Sequence, residues 1–300
     1  QKHWEHPRPE FVETVMLYSE QFDEDQEYLL CNNLPTLLWL AQLADIELHT
    51  WYSRINREPD GEHLSTSFTG SLERIRSSVL NYPDFIVFDL DPYIYAGSEG
   101  RGDEPVLNRK AFAKTREVAR RLREVLASLS LSAFLKTSGK TGLHIYVPIV
   151  RRLDYDAVRS IAGTIGRHLM SQHPREITME WSVEERRGKV FFDHNQNARG
   201  KTLVTAYSPR ALPEATVATP LFWEELDDVY PTDFTMENVP DRLAEVGDPW
   251  QGILEAKGDL GRLLEGRQQG REPGGREALA AELESAAAEP PRRKRGRRKG

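Results

Sequence analysis

The run Phe85-Ile86-Val87-Phe88-Asp89-Leu90-Asp91-Pro92 constrains the fold more than any other stretch of the chain. It is almost continuously apolar and stops at a proline, the pattern of a strand covered on both faces, so it belongs in the middle of a sheet. Asp89 and Asp91 are two apart, so both carboxylates leave by one face while Phe88 and Leu90 leave by the other. Like charges at the end of an apolar strand repel and are penalised by desolvation, and a divalent cation removes that cost. An isolated Asp-x-Asp is also a common solvated strand end, so the pair needs further partners before it means chemistry.

The remaining chain supplies helices and strands in mixed order. Asn33 caps a helix whose Leu34, Leu37, Leu38, Leu40, Ala41 and Ala44 are spaced to face a core. The alternation in Ile46 to Trp51 predicts a strand with Glu47, His49 and Trp51 on one face. Residues 54 to 82 read as a polar surface excursion with one helix around Ser71 to Leu80. Asn108 caps a helix to about Leu129, and Asp154 starts another to about Met170. Strands are expected at Ala133 to Lys136, Leu143 to Val150 and Thr202 to Ala206. Ile177 to Trp181 and Lys189 to Asp193 are expected to form a hairpin. A closing pair of short helices lies between Glu237 and Leu264. This mixture points to an α+β fold rather than a purely parallel sheet.

Two further sites could carry chemistry. Asp193 ends the apolar run Val190-Phe191-Phe192 and is followed by a polar, basic loop through Lys201 that suits phosphate. Ser138 to His144 is a small polar loop feeding a strand that shows His144 and Tyr146 on one face. Gly139-Lys140-Thr141 is not a phosphate-binding loop of the Walker type, because Phe134 stands where that motif needs glycine and a strand rather than a helix follows. Asp89-Leu90-Asp91-Pro92-Tyr93 also resembles the haloacid-dehalogenase phosphatase signature, but Tyr93 departs from the Thr or Val of that family. An aspartate-dependent phosphatase is the alternative enzyme class, and a nonenzymatic DNA-end binding module is the third reading.

Composition narrows the partners. The formal charge is −7, and the last nine residues carry seven basic side chains, so the rest of the chain stands at −14. An acidic body meets nucleic acid only through local basic patches, bound cations or the tail. The single cysteine, Cys31, excludes an internal disulfide, makes a thiolate zinc site very unfavourable, and reads as a small buried hydrophobe. No apolar run approaches the roughly 18 residues needed to span a bilayer, so no membrane partner is expected and the default location is the cytoplasm.

Taken together, Phe88-Asp89-Leu90-Asp91-Pro92, Thr137-Ser138-Gly139-Lys140-Thr141-Gly142-Leu143-His144, Phe192-Asp193-His194-Asn195-Gln196-Asn197 and Tyr207-Ser208-Pro209-Arg210 resemble the polymerase domain of bacterial DNA ligase D. That family belongs to the archaeo-eukaryotic primase superfamily. The resemblance runs from Gln1-Lys2-His3 to Gly247-Asp248-Pro249-Trp250 and rests on the order of the motifs. It implies a primase-like mixed sheet flanked by helices over residues 1–264, lacking an upstream strand-rich subdomain, with residues 265–300 as a flexible, partly helical tail with a basic end. It also implies that Asp89, Asp91 and Asp193 hold two metal ions, manganese or magnesium. Ser138 and His144 would contact a nucleoside triphosphate, Arg210 would grip its phosphates and His49 would line the pocket. Lys140 and Arg199 would stand in for a lysine and an arginine that other members carry at the positions of Thr141 and Gln196. The implied reaction adds nucleotides, ribonucleotides by preference, to DNA 3′ ends on a primer-template during nonhomologous end joining. Ku and a ligase would be partners, in a nucleoid-associated setting.

Overall fold

The structure, a computed structural model, describes residues 7–93, 107–261 and 275–288. Residues 1–6, 94–106, 262–274 and 289–300, the basic end among them, lie outside the described residues. In chain order the strands are β1 (Thr14–Ser19), β2 (Glu24–Leu29), β3 (His49–Thr50), β4 (Phe85–Tyr93), β5 (Phe134–Thr137), β6 (Leu143–Pro148), β7 (Ile177–Thr178), β8 (Lys189–Asp193), β9 (Leu203–Val204) and β10 (Pro220–Leu221). The helices are α1 (Leu34–Gln42), α2 (Leu72–Arg76), α3 (Arg109–Ser128), α4 (Tyr155–Gln172), α5 (Val239–Val246) and α6 (Gly275–Ala288).

The expected central strand is central. The main sheet runs β10-β5-β6-β4-β8-β7, with β4 bonded to β6 on one side and β8 on the other, both antiparallel. Pro92 does not end β4: pairing to β6 stops at Leu90, and the strand continues beside β8 alone, where the missing N–H of proline is tolerated. The expected hairpin of Ile177–Trp181 with Lys189–Asp193 is corrected: β7 and β8 are parallel, because the chain between them crosses back through a 3-10 turn at Val183–Arg186 instead of reversing tightly. The fold is a mixed-sheet α+β architecture.

One face of the sheet carries the main core. Ile86, Phe88 and Leu90 of β4 pack with Leu122 and Leu126 of α3 and Ile161 and Ile165 of α4, all fully buried. The caps on both helices are as the sequence implies, with Asn108 accepting from the Lys110 and Ala111 amides and Asp154 from that of Ala157. Helix α6 places Leu279 and Leu283 in this same core, so the helical stretch near the C-terminus is docked.

Three other expectations fail. Residues 54 to 82 are not a surface excursion: Leu64, Phe68, Ile75, Val79 and Leu80 build a second core with Leu17 of the β1–β2 hairpin. Their apolar residues are too irregularly spaced to show a period. Helix α1 is capped by Asn33, but Leu34, Leu37 and Leu38 are exposed and only Thr36 and Leu40 are buried. Spacing shows that a helix has an apolar face, not what covers it. Cys31 is exposed rather than buried, on the chain leaving β2.

Candidate active site

The other face of the sheet is polar along one line. Directly opposed residues on β5, β6, β4 and β8 are Lys136, His144, Asp89 and Asp193, and opposed residues project to the same face. Asp91, two along β4 from Asp89, joins that face, and a Cβ on Gly142 would stand 2.7 Å from its Oδ1. Carboxylates about a hundred positions apart in the chain therefore converge. Only a glycine leaves room for Asp91 at the turn into β6.

Asp193 is held in place by its own loop. Its Oδ1 accepts from the Asn195 amide at 2.8 Å. Past it the chain turns as a 3-10 helix, and the Asn197 side chain replaces the missing ladder partner of β4: its Oδ1 accepts from the Val87 amide at 2.8 Å and its Nδ2 donates to the Val87 carbonyl at 2.7 Å. Asn197 is fully buried. Replacing Asn197 by alanine leaves both backbone groups of Val87 unpaired, each worth about 1–3 kcal/mol when desolvated. We expect Asn197→Ala to lower the unfolding free energy by about 2–4 kcal/mol in urea denaturation; a loss below about 1 kcal/mol would show that β4 and β8 are aligned without it.

The acidic groups are unusually basic for carboxyls. Burial pushes Asp89 up to about 6, although Lys136, Gln196 and Arg210 oppose the shift. Burial and the charges of Asp89 and Asp193 push Asp91 well above the carboxylate range, and Asp193 is raised by burial and by Asp89. Asp89 Oδ1 is buried without a hydrogen-bond partner among the described residues, 3.4 Å from His144 Nε2. An orphaned carboxylate oxygen and three carboxyls raised by burial, two of them also by the charge of Asp89, fit hard divalent cations. No three His, Cys, Asp or Glu side chains among the described residues stand drawn together as a finished ligand set.

These shifts have a consequence for stability. Because the folded state raises Asp89 to about 6, it holds that proton more tightly than the unfolded chain does. The metal-free protein should therefore lose stability from this group as pH rises from about 4 through about 6, by roughly 2–3 kcal/mol in all. Urea denaturation in chelator should show Asp89→Asn gaining on the parent between pH 4 and 7; a pH-independent difference would contradict the assignment.

A basic wall faces the acids. Arg210 donates from Nη1 to the Ser138 carbonyl at 2.7 Å, and its Nε lies 3.2 Å from Glu47 Oε1. Glu47 also accepts from the Ala211 amide and meets His49 Nε2 at 3.0 Å. Burial alone would raise Glu47, but His49, the Ala211 amide and Arg210 hold it below its ordinary value. Ser138 Oγ accepts from the amides of Gly142 at 2.9 Å and Lys140 at 3.2 Å, which closes the loop. Gly139 sits at φ +72°, and a Cβ there would meet Arg210 Cγ at 2.7 Å. Burial, with Lys136, Arg210 and His49 nearby, keeps His144 well below the usual histidine range and so neutral.

The structure thus brings together Asp89, Asp91, Asp193, Ser138, His144, Arg210 and His49, with Lys140 on the same loop. Arg199 is not among them. It lies beyond the Asn195–Asn197 turn on the wall of a separate cavity, with Glu20 Oε2 at 3.9 Å. The resemblance implied that it stands in for an arginine at the position of Gln196, but the turn at Asn195–Asn197 redirects the chain. Sequence reading also missed Lys136, Tyr52 and Arg186. Lys136 is fully buried, and its in-row position follows only from knowing that β5 pairs with β6. Tyr52 is buried with its hydroxyl unpaired among the described residues, while Arg186 stacks on Phe191 and draws Asp91 and Asp193 down electrostatically.

The sheet and its acidic row define a domain of the primase-polymerase type. Residues 1–250 match the family described as LigD, primase-polymerase domain, and the chain belongs to that family. It is 32% identical over 246 residues to the multifunctional non-homologous end joining protein LigD of Pseudomonas aeruginosa, covering 81% of this chain and 25% of that protein. It is 27% identical over 244 residues to the bifunctional non-homologous end joining protein LigD of Bacillus subtilis, covering 81% of this chain and 33% of the relative. The chain therefore spans between a quarter and a third of these relatives. Among solved structures it is similar to the polymerase domain from Mycobacterium tuberculosis ligase D in complex with DNA, with TM-score 0.66 and 27% identity over 86% of this chain and 84% of that one.

Proposed function

We propose that this chain is a metal-dependent nucleotidyltransferase that adds nucleotides to DNA 3′ ends. The observation that carries the reading is the direct cross-strand pairing of Asp89 with Asp193, with Asp91 on the same face and the Arg210 guanidinium and the imidazoles of His49 and His144 beside them. The family match over residues 1–250 favours this reading over a phosphatase built on Asp89 as nucleophile.

Asp89, Asp91 and Asp193 would hold two divalent cations, manganese or magnesium. When bound, such ions favour attack by the 3′-hydroxyl and offset the charge of the departing pyrophosphate. The protein's own groups do the positioning. Arg210 keeps its second terminal nitrogen and the flank of its guanidinium for phosphate while Glu47 and the Ser138 carbonyl fix its plane. His144, neutral, offers an N–H to a phosphate oxygen without needing a proton from solvent. The Ser138 loop sets the floor beneath the nucleotide, with Lys140 at its rim.

The relatives are named for nonhomologous end joining, and the solved neighbour holds DNA. On that footing the substrates of this chain are a primer-template or a broken DNA end and nucleoside triphosphates, with ribonucleotides preferred, and its partners are Ku and a ligase. No helix among the described residues is long and apolar enough to cross a membrane. Incubation with a primer-template, manganese and labelled ribonucleotides should give stepwise extension. Release of phosphate from a small ester without extension would favour a phosphatase instead.

A further inference from the structure

Beside the acidic row, under the β1–β2 hairpin, lies a cavity of about 170 Å³ walled by Tyr18, Tyr28, Trp51, Tyr155 and Arg199. An apolar cavity of about 150 Å³ accepts benzene, so there is room for one six-membered ring. Residues 51 to 53 form the partition between cavity and sheet. Trp51 and Ser53 line the cavity, whereas Tyr52 between them packs with Val87 and Tyr146 on the catalytic face, its ring 6.3 Å from that of Tyr146. The two sites share a wall one residue thick.

We propose that this cavity receives a single unpaired base of the DNA strand, with the adjoining phosphate on Arg199. The proposal rests on the nucleic-acid reading above. Trp51 and Tyr28 lie with ring centroids 5.2 Å apart and supply an aromatic surface of the kind on which unstacked bases bind without regard to sequence. Ser53, bonded to the Tyr155 hydroxyl at 2.7 Å, and that hydroxyl give polar atoms at the inner end. Arg199 is the cation of the rim. Its only ion contact among the described residues is the long one to Glu20, a side chain 72% exposed, and a phosphate would take the place of that carboxylate. The rings of Tyr18, Tyr28 and Trp51 also flank the second core of Leu17, Ile75 and Leu80, which floors the cavity, and the charged rim at Arg199 is what sets it apart from a packing void there. Arg199 follows Asp193 in the chain, past the Asn195–Asn197 turn, so one loop joins the acidic row to the cavity rim.

The test uses the full chain and a duplex carrying one fluorescent pyrimidin-2-one, a single six-membered ring, in a single-stranded overhang, with a blunt duplex as control. Binding of the overhang should quench the pyrimidinone. Trp51→Ala should weaken overhang binding about tenfold and abolish the quench, Trp51→Phe should restore both, and blunt-duplex affinity should stay within twofold. Arg199→Gln should flatten the salt dependence of overhang binding by about one counterion. If the parent extends primers yet shows no quench, or if Trp51→Ala weakens blunt and overhang DNA equally, the cavity holds no base. Relief of the quench by a free mononucleotide at equal concentration would overturn the assignment to a strand. A parent that neither binds nor extends DNA would sink the underlying reading as well.

Discussion

Asp193→Ala should reduce primer extension by at least about a thousandfold while leaving the metal-free fold as stable as the parent or more so. The two halves of this expectation have one cause. Asp193 stands opposite Asp89 on the same sheet face, and burial with the charge of Asp89 raises its carboxyl. Removing it relieves repulsion in the empty site and deletes a ligand in the filled one. Manganese at a hundredfold excess over its dissociation constant stabilises a native state by about 2.7 kcal/mol, so the parent's Tm should rise with manganese and that of the variant much less. Equal shifts in both proteins would separate Asp193 from the cations. Loss of extension accompanied by a lower metal-free Tm would assign Asp193 a structural task instead.

The largest stability effect belongs to a cluster outside the active site. Asp84, fully buried just before β4, accepts from Arg54 Nη2 at 2.9 Å and Lys257 Nζ at 2.8 Å. Arg151, also fully buried, binds Asp60 at 2.8 Å and the Asn56 carbonyl at 2.5 Å. Lys257 closes the ring by donating to Asp60 at 2.7 Å. Three cations share two carboxylates, and the cluster ties residues 54–60, the start of β4, the end of β6 and the segment at 257 together. Asp84→Ala leaves buried cations without a counter-charge, an effect of about 3–5 kcal/mol. For a domain of this size that corresponds to a Tm drop of roughly 6–20 °C. Asp84→Asn should lie between the parent and the alanine variant, because it keeps hydrogen bonds and loses the charge. A change of only a degree or two in Asp84→Ala would mean that water replaces the carboxylate without penalty.

The parts of this account that sequence made legible are those with a local signature. The β4 strand announces itself by composition, α3 and α4 by their caps and stripes, and the acidic residues by their position at strand ends. Nonlocal geometry was not legible. Whether β7 runs parallel or antiparallel to β8 depends on the path between them, and no residue within either strand encodes it. The second core escaped because Leu64, Phe68 and Ile75 are held by a hairpin some fifty positions earlier, with no shared period. Lys136 could be read as an ordinary strand residue until β5 was seen beside β6, and Arg199 as a pocket residue until the turn at Asn195–Asn197 carried it away. For the site, motif order named the acids, Ser138, His144 and Arg210, while the positioning tasks of Asn197, which lies within one of those motifs, and of Glu47 show only once the strands and Arg210 are placed.

The central claim is that three aspartates on two neighbouring strands share cations, and manganese binding tests it without reference to turnover. Electron paramagnetic resonance titration of manganese into the parent, with a nucleoside triphosphate present, should show two ions bound per chain. Asp89→Asn, Asp91→Asn and Asp193→Asn should each weaken both sites. If Asp193→Asn binds two ions as tightly as the parent does, the strands meet but the carboxylates do not act together, and the proposed chemistry is wrong.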